Sequence, residues 1–186
     1  QIATAGRTRH DDIVRVLEDE ISLAGGTATI ELSGLDPAGS NKRPDLDVVL
    51  GAESFLVDVT VRDSTAQSYG TLERAFAAAR SSKHARYDDM SKRLGCKMIP
   101  FMVDAFGALS TDAVDFVNLI ADYASDALQA ESAQRIASRI LDRISCVLQR
   151  GNARMLMRGI LHSLRNHPQS RPLPVVPIAS RLLPAS

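Results

Sequence analysis

With 186 residues, 45% apolar and 24% charged side chains, the chain has the composition of a globular protein with room for one ordinary domain and additional helices. Lysine plus arginine equals aspartate plus glutamate at 22 each, so bulk charge excludes a protein that binds nucleic acid by net positive charge; only local patches are left for that role. No apolar run reaches the roughly 18 residues that a membrane-spanning helix needs, so no membrane partner is expected. Cys96 and Cys146, without a partner at metal-ligand spacing, fit a reducing, intracellular compartment. A start at Gln1 without a clear signal peptide points to a processed form or a fragment.

Along the chain, Ile13, Val14, Leu17, Ile21 and Ala24 recur at helical steps and predict a helix from about Asp11 to Ala24, stopped by Gly25-Gly26. Thr27 to Leu32 reads as a strand and residues 33–44, rich in glycine and proline, as a loop. Leu46 to Leu50 and Phe55 to Val61 form a predicted β-hairpin around Gly51-Ala52-Glu53-Ser54. A long helix follows from Thr71 to Leu94, capped by Gly95, and then a strand from Lys97 to Ala105 whose Pro100 argues for an edge position. Three helices are predicted beyond it: from Thr111, as N-cap, to Leu128, from Ser132 to Leu148, and from Asn152 to Leu164. The tail from His167 is broken by prolines and reads as extended. The order gives an α/β core with a helical C-terminal extension. The expected division is 1–128, 129–166 and 167–186.

The chemistry is concentrated in the hairpin. A turn centred on Ala52-Glu53 pairs Asp47 with Asp58 and Asp45 with Thr60. Cross-strand partners share a face of the sheet. One face is then apolar (Leu46, Val48, Leu50, Phe55, Val57, Val59, Val61), and the other gathers Asp45, Asp47, Asp58 and Thr60. Clustered carboxylates repel; a divalent cation with a preference for hard oxygen ligands, Mg²⁺ or Mn²⁺, would relieve this, whereas the plainer reading is a solvated acidic face. The long helix bears on the choice, because its apolar stripe Leu72, Phe76, Ala79, Lys83, Tyr87, Met90, Leu94 contains a lysine. Lys83 must snorkel outward or meet an anion, and the acidic face is the natural anion. In a hydrolytic site such a lysine orients water or stabilises charge on a phosphate.

Arg43-Pro44-Asp45, Asp58-Val59-Thr60-Val61, Lys83 with Tyr87 and Ile99-Pro100-Phe101 together resemble the PD-(D/E)XK endonuclease domain of eukaryotic non-LTR retrotransposons. Arg9-His10, Ala24-Gly25-Gly26, Glu31 and the run Val103 to Leu109 extend the likeness over about residues 7 to 125. The resemblance implies a restriction-endonuclease-like mixed central sheet flanked by helices, metal held by Asp45 and Asp58, and Mg²⁺-dependent hydrolysis of DNA. The position two residues after the second acid, usually lysine, is Thr60 here; in the retrotransposon branch the lysine comes from the following helix, where Lys83 stands. Glu18 or Glu20 is a further candidate carboxylate on the first helix, and His10 a candidate phosphate contact. Retrotransposon origin implies a nuclear location, with an organelle as the alternative, and, as partners, DNA and the rest of a larger protein or ribonucleoprotein.

Outside the resemblance, Arg135, Arg139 and Arg143 fall at four-residue steps beside Ile136, Ile140 and Ile144. They read either as a ridge facing phosphates or as the solvated flank of an amphipathic helix. Two functions are therefore expected as alternatives: a metal-dependent DNA endonuclease, or a catalytically inactive nuclease-fold domain retained as a structural or nucleic-acid-binding component.

Overall fold

The hairpin, residues 46–62, forms the middle of the sheet. The computed structural model describes residues 2–31, 42–63, 71–129 and 131–166. Most of the predicted 33–44 loop and the whole 167–186 tail lie outside the described residues. The elements are α1 (Ile2–Leu23), β1 (Thr27–Ile30), β2 (Leu46–Leu50), β3 (Glu53–Arg62), α2 (Leu72–Leu94), β4 (Lys97–Asp104), α3 (Thr111–Leu128) and α4 (Ala133–Asn166). The sheet has the order β1-β2-β3-β4, with β1/β2 and β2/β3 antiparallel and β3/β4 parallel. It is a mixed sheet flanked by helices. Pro100 sits on β4, an edge strand among the described residues, where a missing N–H is tolerated.

The middle of β3, Phe55 to Val59, is buried on both faces, which fits its run of apolar residues broken only by Asp58. One face (Leu46, Val48, Leu50, Phe55, Val57, Val59) packs with Ile13, Leu17 and Ile21 of α1, Phe116 and Ile120 of α3, and Ile136, Ile140, Ile144 and Leu148 of α4. The opposite face carries Leu56, which packs with Met98 and with Tyr87 and Met90 of α2. The α2 termini follow from local chemistry. Thr71 Oγ1 accepts the Arg74 amide at 3.3 Å, and Gly95 takes the left-handed conformation at φ 68°.

Several boundaries differ from expectation. α1 begins well before Asp11, and its early turns escape the pattern because they carry too few apolar residues to set a period. β1 ends at Ile30, and Glu31 turns the chain at φ 45°. The N-cap of α3 is Ser110, whose Oγ accepts the Ala113 amide, rather than Thr111. The two helices expected over 132–148 and 152–164 are one, α4. An interior glycine costs a helix about 1 kcal/mol relative to alanine, but Gly151 is where the Arg9 side chain lies: a Cβ there would come within 2.1 Å of Arg9 Cγ. Asn152 then accepts from Arg9 Nη1 at 2.7 Å and donates to the Ala105 carbonyl at 2.8 Å.

The chain divides into two compact units, the first running to Met155 and the second beginning at Leu156. The first therefore extends past the boundary expected at residue 128, because α4 supplies Ile136, Ile140, Ile144 and Leu148 to the same core. Within the second, Leu156, Met157, Ile160, Leu161 and Leu164 are exposed. No described helix is long and apolar enough to cross a membrane.

Candidate active site

The hairpin register decides which acids meet. Leu50 pairs with Glu53, Val48 with Phe55, Asp47 with Leu56 and Leu46 with Val57. The turn is therefore Gly51-Ala52, with glycine first at φ 59°, where a tight hairpin requires a residue tolerant of positive φ. The predicted register, centred on Ala52-Glu53, is displaced along the strands. The two faces survive the correction, since a displacement of the pairing sum by two leaves each side chain on its own side. The acid opposite Asp58 changes: Asp47 faces Leu56, and Asp45, just before β2, lies on the line that leads to Asp58.

Asp45 takes over where the β2 ladder stops. Its Oδ2 accepts the Val59 amide of β3 at 2.6 Å, satisfying a strand N–H that a longer β2 would have taken. The same oxygen lies 3.0 Å from His10 Nε2 of α1, and the other ring nitrogen, Nδ1, lies 3.0 Å from Asp11 Oδ1. Held between two carboxylates, the His10 imidazole is pushed up to about 9, chiefly by its hydrogen bond to Asp45 and against the opposing effect of burial.

Asp58 is almost fully buried on β3 and forms an ion pair with Lys83 of α2, the lysine that interrupts the apolar stripe. Its carboxyl is nevertheless raised above the usual range. Burial is the largest cause and the charge of Asp45 the next, and together they outweigh the opposing contribution of Lys83. Tyr87, one turn beyond Lys83, donates its hydroxyl to the Arg43 carbonyl at 2.8 Å, anchoring the segment that delivers Asp45. Burial and then the nearby Asp58 charge push this phenol well above its ordinary range.

Asp45, Asp58, Lys83, His10 and Tyr87 therefore converge, whereas other candidate residues stand apart. Asp47 is raised by burial and its charge acts on Cys96 rather than on Asp58. Glu31 is exposed just past β1; its backbone amide bonds the Asp45 carbonyl at 2.9 Å. Glu18 is half-buried on α1. Glu20, the alternative acid there, is gripped by Arg139 Nη2 at 2.9 Å and Arg143 Nη1 at 2.6 Å. Arg139 also bonds Glu131, and Arg143 bonds Asp19. These two guanidiniums tie α4 to α1, while Arg135 is largely exposed and 3.6 Å from Glu131. Sequence reasoning missed the Val59 amide and the Arg43 carbonyl, because backbone groups carry no signal in residue identity, and also the Asp11 carboxylate behind His10.

Two carboxylates fit a hard divalent cation in kind. Asp45 Oδ2 is gripped twice, which leaves Oδ1 as the oxygen that could serve such an ion. Among the described residues no group of three or more His, Cys, Asp or Glu side chains is gathered for a metal. Neither models of known protein families nor curated proteins give a match to the sequence.

Proposed function

We propose that this chain is a metal-dependent endonuclease of the PD-(D/E)XK type, hydrolysing phosphodiester bonds in DNA. The observation that carries the reading is the convergence of Asp45, Asp58 and Lys83, three residues from separate elements, at the point where the β2 ladder ends. A surface acidic patch would not place a nearly buried aspartate against a lysine drawn from an apolar helix stripe.

Asp45 and Asp58 are the residues to hold Mg²⁺ or Mn²⁺. When bound, the ion supplies Lewis acidity toward the phosphate and lowers the pKa of a coordinated water. Lys83, paired with Asp58, offers its ammonium to the attacking water or to the charge that develops on the phosphate. Water adds to phosphorus, the bond to the sugar oxygen breaks, and that oxygen takes up a proton. Tyr87 holds the Arg43–Asp45 segment in place through the Arg43 carbonyl. The likeness to retrotransposon endonucleases suggests nicking of target DNA within a larger protein or ribonucleoprotein in the nucleus. The neutral overall charge leaves DNA contact to local patches, of which the exposed Arg135 is one candidate.

A second reading has its own observation. His10 and Lys83 already balance the charges of Asp45 and Asp58, as a metal-free structural domain requires, and Thr60 occupies the customary lysine position. Incubation of the purified chain with supercoiled plasmid separates the two. An endonuclease nicks it with Mg²⁺ or Mn²⁺ and not with EDTA, and Asp45→Asn abolishes the nicking. A scaffold leaves the plasmid intact under every condition.

A further inference from the structure

We infer that His10 is a positioning residue for Asp45, fixing which carboxylate oxygen faces the cation and the substrate. The inference rests on the endonuclease reading and adds to it a residue from α1.

Asp45 precedes β2, so no strand ladder defines its side chain; two contacts do, and both fall on Oδ2. The Val59 amide reaches it along the sheet at 2.6 Å, and His10 Nε2 reaches it from the α1 side at 3.0 Å. A carboxylate with one oxygen held from two directions has lost the rotation that would exchange its oxygens, and it presents the other oxygen in one orientation. Neighbours that orient ligands in this way typically change metal affinity or activity 10- to 100-fold when removed.

The imidazole is itself held. Asp11 Oδ1 stands 3.0 Å from Nδ1, which sets the plane of the ring and leaves Nε2 to serve Asp45. On the preceding residue, Arg9 bonds Asn152 of α4, and Asn152 bonds the Ala105 carbonyl at the end of β4. This part of α1 is thus pinned to α4 and to the β4–α3 turn, so His10 is not a freely moving surface side chain. A histidine whose task is to touch DNA directly would not need its ring nitrogens committed to two carboxylates.

The test uses the whole chain with His10→Ala and His10→Gln, because the glutamine amide can replace the Nε2–H donor. Mn²⁺ affinity is read by electron paramagnetic resonance without DNA, DNA affinity in EDTA, and cleavage as separate kcat and KM. His10→Ala should weaken Mn²⁺ binding and lower kcat, each by about 10-fold or more, with DNA affinity and KM unchanged; His10→Gln should recover most of both. If His10→Ala fails to fold, His10→Gln against wild type still decides, because near-wild-type Mn²⁺ affinity and kcat are then expected and a ten-fold loss of either overturns the inference. Equal Mn²⁺ affinity in wild type and a folded His10→Ala overturns it as well, and a loss confined to KM and DNA affinity does so by making His10 a DNA contact. A wild type that binds no Mn²⁺ contradicts the endonuclease reading itself, and the inference falls with it.

Discussion

Replacing Lys83 with methionine keeps most of the stem and the helix propensity of the side chain and deletes its charge. The partner, Asp58, has a side chain only 6% exposed, while that of Lys83 is 21% exposed. Asp58 would then face burial and the charge of Asp45 with no lysine to offset them, the two influences that already raise its carboxyl in the wild type. Removing one member of a buried pair costs about 3–5 kcal/mol, and the partial exposure of this pair places Lys83→Met near ~3 kcal/mol at neutral pH. In a chain of this size that is a fall in Tm of about 6–12 °C. The pH dependence has a definite sign. Asp58 has a folded-state pKa above its unfolded value, so the penalty for ionising it is absent at low pH and grows as pH rises through the raised pKa. Thermal melts of wild type and Lys83→Met in EDTA should therefore differ more at pH 7 than at pH 4. Cleavage with Mg²⁺ should fall by roughly a hundred-fold or more, the usual loss when a preorganised charge-stabilising donor is removed. A variant that melts with the wild type at pH 7 would refute the electrostatic argument, and one that cleaves normally would refute the role given to Lys83.

Three further perturbations probe the frame around the site. Glu20→Ala removes an acid 1% exposed at its side chain and leaves Arg139 and Arg143 to their other partners, Glu131 and Asp19; denaturant titration should register the lost charge-assisted hydrogen bonds as about 2 kcal/mol, and a change below about 0.5 kcal/mol would show that the cluster does not hold α4 to α1. Gly151→Ala would ordinarily stabilise a helix by about 1 kcal/mol, but here the new Cβ meets Arg9 Cγ, so a loss of about 1–3 kcal/mol is expected by the same titration and a gain would contradict the packing. His10, raised from 6.5 to about 9, contributes about 3 kcal/mol in EDTA, fully present below pH 6.5 and lost as pH rises toward 9. Wild-type stability should therefore decline across that window relative to His10→Gln; parallel profiles would contradict the Asp45–His10 pair.

The features legible in the sequence were those set by near neighbours. The caps of α2 at Thr71 and Gly95, the alternation of the hairpin and the lysine within an apolar stripe all rest on residues within a turn or a strand of one another. Even the hairpin was legible only in its faces, because choosing Gly51-Ala52 over Ala52-Glu53 as the turn moves every partner without turning any side chain over. What escaped depends on distant segments. Glu20 meets Arg139 and Arg143 across more than a hundred residues, and their alternation along α4 looks the same whether they face solvent, phosphate or an acid. The glycine at 151 within α4 likewise makes sense only beside Arg9, which no reading of 145–155 alone can supply. Asp45 reached Asp58 and His10 because a strand ended, a boundary one residue wide.

Whether the Asp45–Asp58–Lys83 convergence is a catalytic centre is tested most directly by single-turnover nicking of supercoiled plasmid by wild type and Asp58→Asn, each with Mg²⁺ and with EDTA. A catalytic centre predicts nicking by the wild type with Mg²⁺ and by neither protein otherwise. Nicking by Asp58→Asn at the wild-type rate, or none by a folded wild type with either Mg²⁺ or Mn²⁺, would contradict it.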